Sequence, residues 1–259
     1  MILDEILAAK QEEVEMAKAR LTFDELQARV RQRLPERGFR KALQQPGKLA
    51  LIAELKRRSP SKGVLRERFD PVSLAQQLEE AGAAALSVLT DEPFFGGHLD
   101  FLREAHQFTH IPTLRKDFII DPYQVYQALY YDADAVLLIA QVLPEEDLLR
   151  CLEVADRLQL DALVEVHSEA DLQVALEAKA KIIGVNTRDL KTFAIQPDVL
   201  TRLIPKIPKG ITIVAESGVQ TREDVQRIKA LGVHAVLIGE ALMTAPDPAA
   251  KIRELFDGV

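Results

Sequence analysis

The sequence predicts an α/β fold, a (β/α)8 TIM barrel with an additional N-terminal helical extension. Three observations carry that expectation. Short β-rich apolar runs alternate strictly with stretches of helical period, there are eight such runs, and they fit within about 210 residues. Strict alternation demands a parallel sheet covered by helices, and eight units in that length suit a closed barrel better than an open doubly wound sheet.

The strands are expected at 49–56, 85–90, 113–118, 135–140, 161–166, 182–186, 212–217 and 235–239. Between them, 144–158 has an acidic first turn (Glu145, Glu146, Asp147), which favours a helix start. Ser168 stands where an N-cap for 168–178 should be, and Thr221 to Asp224 has the form of a capping box leading to a helix that ends at Gly232. The turns at 81–86, 132–137 and 232–237 echo one another in Gly, Ala and Asp, a composition that tight αβ turns favour in any case. Residues 1–48 read as helical, with Ile2, Leu3, Ile6 and Leu7 forming an apolar stripe, and Pro35, Gly38, Pro46 and Gly47 mark a loop-rich approach to the first strand.

Composition narrows the function classes. The 259 residues are 47% hydrophobic, enough for one large core, and the chain 1–259 is expected to be a single barrel domain. A formal net charge of −7 gives no electrostatic support for a nucleic-acid or anionic-membrane partner, so any anion site must be local. One cysteine, Cys151, excludes an intramolecular disulfide framework, and the reading is a cytoplasmic protein. The first residues are acidic where a signal peptide is basic, and no apolar run approaches membrane-spanning length.

In a barrel of this kind, catalytic groups lie at the carboxyl ends of strands and on the loops that follow. Glu54 and Lys56 are two residues apart, hence on one face of the first strand, and Lys116 and Phe118 have the same spacing on the third. Glu165 ends the fifth strand, Asn186 the sixth, and Glu216 with Ser217 the seventh. Isolated charges would be costly in a barrel mouth, whereas interleaved acids and bases neutralise one another and remain available for proton transfer. A phosphate clamp is expected where Glu216-Ser217-Gly218-Val219 and Ile238-Gly239-Glu240-Ala241 follow strands seven and eight, since glycine permits close backbone approach and helix starts offer unpaired N–H groups. The basic loop from Lys56 to Gly63, extended by Arg66 and Arg68, would focus a small polyanion over the mouth. His106 and His110 are four apart, but Pro112 cuts the helix and a third ligand is lacking, so no metal is expected; no glycine-rich dinucleotide fingerprint is present either.

Ile52-Ala-Glu-Leu-Lys-Arg-Arg-Ser-Pro-Ser-Lys-Gly63 resembles the most diagnostic segment of the indole-3-glycerol-phosphate synthases. Matches continue in order with Ser87-Val-Leu-Thr-Asp91, Phe94-Phe-Gly-Gly97, Leu114-Arg-Lys-Asp-Phe118, Ala162-Leu-Val-Glu-Val166, Ile183-Gly-Val-Asn-Thr-Arg-Asp-Leu190 and Ala215-Glu-Ser-Gly218, across essentially the whole chain. The resemblance implies a carboxy-lyase of tryptophan biosynthesis that converts 1-(2-carboxyphenylamino)-1-deoxyribulose 5-phosphate to indole-3-glycerol phosphate, carbon dioxide and water without cofactor or metal. It implies that residues 1–48 pack over the barrel mouth. It implies a catalytic set of Lys116, Glu165, Lys56, Glu54, Asn186 and Glu216: Lys116 as general acid at the ketone oxygen, Glu165 and Lys56 sharing the proton transfers of dehydration, Glu54 holding Lys56 charged. Ser59, Phe94, Phe118, Leu138 and Arg188 would bind the aromatic and carboxylate end of the substrate. Lys62, Ser217, Gly218, Gly239 and Glu240 would hold phosphate, with Glu240 contributing only its backbone N–H while its carboxylate turns outward to avoid repulsion. The partner is that small phosphorylated anthranilate and neither nucleic acid nor membrane, and the chain is expected to be a monomer or a weak dimer. The alternatives, a phosphoribosyl isomerase or a catalytically silent phosphate-binding barrel, fit less well: the isomerases use an Asp or Cys pair at strand ends, and a silent barrel has no use for an intact set of acids and bases.

Overall fold

The computed structural model describes residues 2–31, 35 and 37–259; Met1, Gln32 to Leu34 and Glu36, which fall within the expected extension, lie outside the described residues. Eight parallel strands close a barrel: β1 Ala50–Leu55, β2 Ala85–Leu89, β3 Thr113–Lys116, β4 Ala135–Ile139, β5 Asp161–Val166, β6 Ile182–Asn186, β7 Thr212–Glu216 and β8 Ala235–Ile238. Each pairs with its sequence neighbours, and β1 closes the ring by pairing with both β2 and β8. The expected helices form where their caps predict: Ser168 and Thr221 each close a capping box, with Asp171 and Asp224 respectively.

Strand alternation divides the core into two layers. Leu51, Leu86, Val136, Leu138, Val164 and Ile183 face outward and pack under the helices. Ala50, Ile52, Ala85, Leu114, Leu137, Ile139, Leu163, Val214 and Leu237 face inward and fill the barrel. The same parity carries Glu54, Lys116, Glu165, Asn186 and Glu216 inward at the carboxyl ends, because each lies an even number of residues from an inward apolar residue of its own strand. Leu138 has the opposite parity: it belongs to the outer layer, and its neighbours Leu137 and Ile139 face the interior. The expectation that Leu138 lines the site is therefore corrected.

The N-terminal extension divides between the two ends of the barrel. Helix α1 (Ile2–Arg20) lies at the carboxyl ends of the strands, where Leu3 and Ile6 share a core with Phe118 and, at its edge, Phe94 and Phe95. Helix α2 (Phe23–Val30), capped by a Thr22 and Glu25 box, packs on the flanking helix Pro122–Tyr130. Helix α3 (Phe39–Leu43) lies at the opposite end, so the expectation that all of 1–48 covers the mouth is corrected for this segment. Here the Arg37 and Arg40 backbone N–H groups donate to Asp134 and Asp161 at the amino ends of β4 and β5, and Gln44 donates to Thr212 at the start of β7. Phe39 and Leu43, one helical turn apart and both fully buried, plug the barrel floor.

Truncating that plug leaves a cavity that the surrounding strands cannot collapse to fill. Phe39→Ala is expected to lower the unfolding free energy by about 3–5 kcal/mol in urea titrations, and a loss below about 1 kcal/mol would show that α3 does not seal the floor.

Candidate active site

A cavity of about 530 Å³ opens at the carboxyl ends of the strands, bounded by Glu54, Lys56, Lys116, Glu165, Asn186 and Glu216. Lys116 Nζ lies 3.2 Å from Glu165 Oε2 and 3.8 Å from Glu216 Oε2. Lys56 Nζ lies 2.6 Å from Glu54 Oε1. The three glutamates are almost wholly buried, at 4%, 1% and 1% exposure for Glu54, Glu165 and Glu216, so their charges act on one another with little solvent screening.

Two glycines make this crowding possible. A Cβ at Gly184 on β6 would overlap the Glu216 carboxylate, and one at Gly239 would overlap Glu54. The missing side chain of Gly239 makes room for the protein's own carboxylate, while the glycine itself still lines the cavity.

The cluster sorts its protons by proximity. Burial opposes the charge on Lys116, but Glu165, Glu216 and Glu54 together outweigh it and hold the ammonium well above the usual lysine range. Burial likewise opposes ionisation of Glu165, yet Lys116 and His167 hold its carboxyl well below the usual range. Glu216 goes the other way: burial and the adjacent Glu165 charge raise it well above the ordinary value, against the pull of Lys116. The two carboxyls beside the one ammonium are therefore pushed in opposite directions, Glu165 toward its ionised form and Glu216 toward its protonated form. This is the pattern of two coupled acids whose environments push their titrations apart.

His167 was missed in the sequence. It follows Glu165 by two residues, so the same parity brings it inward, and its Nε2 lies 3.2 Å from Glu165 Oε1. Reading the alternation one step past the strand end would have found it.

The apolar wall is made by Leu137, Ile139, Phe118, Phe95 and Leu190. The Phe95 and Phe118 rings lie 6.0 Å apart and tilted by 36°. Phe95, not the expected Phe94, lines the cavity: Asp91 caps the turn Glu92–Phe95 by accepting from the Phe94 and Phe95 N–H groups, and that turn aims the second ring inward. Ser59 is also displaced from its expected role. It is buried in a two-residue ribbon formed by Arg58–Ser59 and Gly63–Val64, where its Oγ accepts from the Lys62 N–H, while Ser61 and Lys62 reach the cavity.

Ser217, Gly218 and Gly239 line the end of the cavity beside β7 and β8. Ser217 and Gly218 have φ of +65° and +79°, a left-handed turn that is costly at a serine and so marks a held geometry. Glu240 contradicts its expected orientation. Its carboxylate faces the cavity, with Oε1 2.6 Å from Lys62 Nζ and Oε2 3.2 Å from Arg188 Nη2. The physical reason is that two cations outbid solvent for it; Glu240 is accordingly withdrawn as a phosphate ligand.

The mouth is fixed from α1 by a buried ionic cluster. Lys10 Nζ lies 2.9 Å from Asp117 Oδ1 and 3.2 Å from Asp91 Oδ2, and Arg115 Nη2 lies 2.9 Å from Asp117 Oδ2. Asp117 stands between Lys116 and Phe118, so this cluster anchors the backbone that presents both. Of the basic loop, Lys62 reaches the cavity, and Arg66 instead donates to the Met243 and Ala245 carbonyls, tying the loop after β1 to that after β8.

Against this geometry, the family model for indole-3-glycerol phosphate synthase matches residues 3–255. The chain belongs to that family. Indole-3-glycerol phosphate synthases from Dehalococcoides mccartyi strain CBDB1 and Carboxydothermus hydrogenoformans are 47% and 42% identical, each alignment covering 99% of this chain and 100% of the relative. The solved structure of 3-hexulose-6-phosphate synthase from Salmonella typhimurium superposes with a TM-score of 0.65 at 17% identity, over 81% of this chain and 97% of that one, which shows the barrel fold alone. Membership of the indole-3-glycerol phosphate synthase family makes the chain a carboxy-lyase acting on a small phosphorylated substrate. Among the described residues no helix is long and apolar enough to cross a membrane.

The raised Glu216 carboxyl has a consequence for stability. Its folded pKa lies above the unfolded value of about 4.3, so the stability it supports is complete below that value and declines as pH rises toward the folded pKa. Glu216→Gln keeps the neutral shape and removes the titration. Its melting temperature, followed from about pH 5 to about pH 9, should gain progressively on the parent; a constant difference would mean that folding does not raise the Glu216 carboxyl.

Proposed function

We propose that the cavity converts 1-(2-carboxyphenylamino)-1-deoxyribulose 5-phosphate to indole-3-glycerol phosphate, with loss of carbon dioxide and water. The observation that carries the reading is the Lys116 ammonium held 3.2 Å from Glu165 beside a wall of aromatic and aliphatic side chains. Ring closure requires the carboxylate-bearing ring carbon to attack the ketone, and negative charge builds on the ketone oxygen. A fixed ammonium stabilises that oxygen better than water does. Because its neighbours raise its proton affinity, Lys116 acts first as a charge and gives up its proton once a strongly basic alkoxide has formed.

Glu165, kept ionised, is the acceptor for the proton lost in dehydration, and Lys56, paired with Glu54, delivers a proton to the departing hydroxyl. His167 steadies the second oxygen of Glu165. Asn186 and Arg188 meet the substrate's carboxylate end. Ser217, Gly218 and Gly239 hold the phosphate with Lys62, while Phe95, Phe118 and Leu137 enclose the aromatic ring. We place the protein in the cytoplasm, in keeping with its single buried cysteine.

The direct test supplies the anthranilate deoxyribulose phosphate and follows indole fluorescence. Lys116→Ala should lower kcat by about 10²–10⁴ while KM changes little, because its contribution is made in the transition state. No fluorescence from folded parent protein would refute the activity, and a near-normal kcat in the variant would remove Lys116 from the chemistry.

A further inference from the structure

Glu240 opens the short helix Glu240–Met243 after β8, and its carboxylate, 13% exposed, is held by two cations from two different loops. Lys62 comes from the ribbon after β1 and Arg188 from the loop after β6. One carboxylate therefore gathers both of the cations that the reading above assigns to the substrate's anionic groups. The Arg188 guanidinium otherwise donates to the Phe193 carbonyl, and its backbone N–H donates to Asn186 Oδ1; neither contact neutralises its charge.

We propose that Glu240 is a resident anion: a carboxylate that occupies the cationic rim of the site and sets which anions can enter it. The inference rests on the phosphate position given under the proposed function. A small dianion such as inorganic phosphate must compete with the Glu240 carboxylate for Lys62, with only Ser217, Gly218 and Gly239 to hold it besides. The substrate brings in addition an aromatic ring for the wall of Phe95 and Phe118, so it can displace or share the cations where a lone anion cannot. Glu240 thus acts as a specificity-determining residue, weakening a lone anion more than a substrate whose aromatic end supplies affinity that does not pass through Lys62 and Arg188.

The arrangement suits displacement. Lys62 is 55% exposed and the Arg188 side chain 21%, so the contact to Lys62 is solvent-screened and cheap to exchange, whereas Arg188 holds Glu240 in place. Glu240 remains ionised throughout the ordinary pH range: burial resists, but Lys62, Arg188 and Lys56 outweigh it and lower its pKa.

The experiment measures inorganic phosphate as a competitive inhibitor of the parent enzyme, Glu240→Gln and Glu240→Asp. Glu240→Gln should lower the phosphate inhibition constant by about tenfold, the scale set by removing one like charge at close range, and should lower KM for the substrate by a smaller factor. Glu240→Asp keeps the charge and should stay near the parent. Lys62→Ala adds a second reading: it should weaken phosphate only slightly in the parent, where Glu240 already neutralises Lys62, and several-fold more in the Glu240→Gln background. An unchanged inhibition constant in Glu240→Gln, or an equal effect of Lys62→Ala in both backgrounds, overturns the proposal. Failure of phosphate to compete with substrate in any variant overturns the phosphate position itself, and the proposal with it.

Discussion

Lys116 carries a positive charge inside a barrel whose interior is otherwise filled by Ile52, Leu114, Leu137, Leu163 and Val214, and much of the upper barrel is organised around keeping that charge. An unpaired ammonium there would lose its proton or the site its shape. Three carboxyls answer it, and crowding three such charges at this range pushes one of them, Glu216, toward its protonated form. The requirement propagates outward. Gly184 and Gly239 must lack side chains so that Glu216 and Glu54 fit, and Asp117 must be pinned by Lys10 and Arg115 so that its neighbour Lys116 points inward. Catalytic potential and structural constraint are here the same set of contacts.

The amino-terminal extension serves this site from two directions. From above, α1 lends Lys10 to the ionic cluster and Leu3 and Ile6 to the apolar cover. From below, α3 drives Phe39 and Leu43 into the barrel and closes it to water. A barrel open at its floor would admit water beneath Lys116 and raise the local dielectric, weakening every attraction that holds the cluster together.

Much of this was legible in the sequence because period and parity are strict. Eight apolar runs separated by capped helices leave one economical topology, and residues such as Glu54, Glu165 and Glu216 end runs whose alternation sends them inward. Apart from Leu138, what escaped was decided by contacts rather than spacing. Leu138 and Leu137 are both leucines on one strand, and parity alone separates an outward from an inward side chain. Phe94 and Phe95 are adjacent and chemically alike; the Asp91 cap chooses between them. Glu240 was expected to avoid an anion site on repulsion alone, but Lys62 and Arg188, distant in sequence, converge on it and reverse the sign of its environment. Residues 1–48 looked like one helical segment, and nothing in their stripe of Ile and Leu revealed that α3 would turn to the opposite end.

Glu165 and Glu216 are neighbours pushed in opposite directions, and carbon-13 NMR of glutamate side-chain carboxyls reads this directly. In protein labelled at the glutamate δ-carbons, with Glu165→Gln and Glu216→Gln spectra used for assignment, Glu216 should carry the chemical shift of a protonated carboxyl at neutral pH while Glu165 stays ionised well into the acid range. Two resonances titrating together at ordinary carboxylate values would contradict the account.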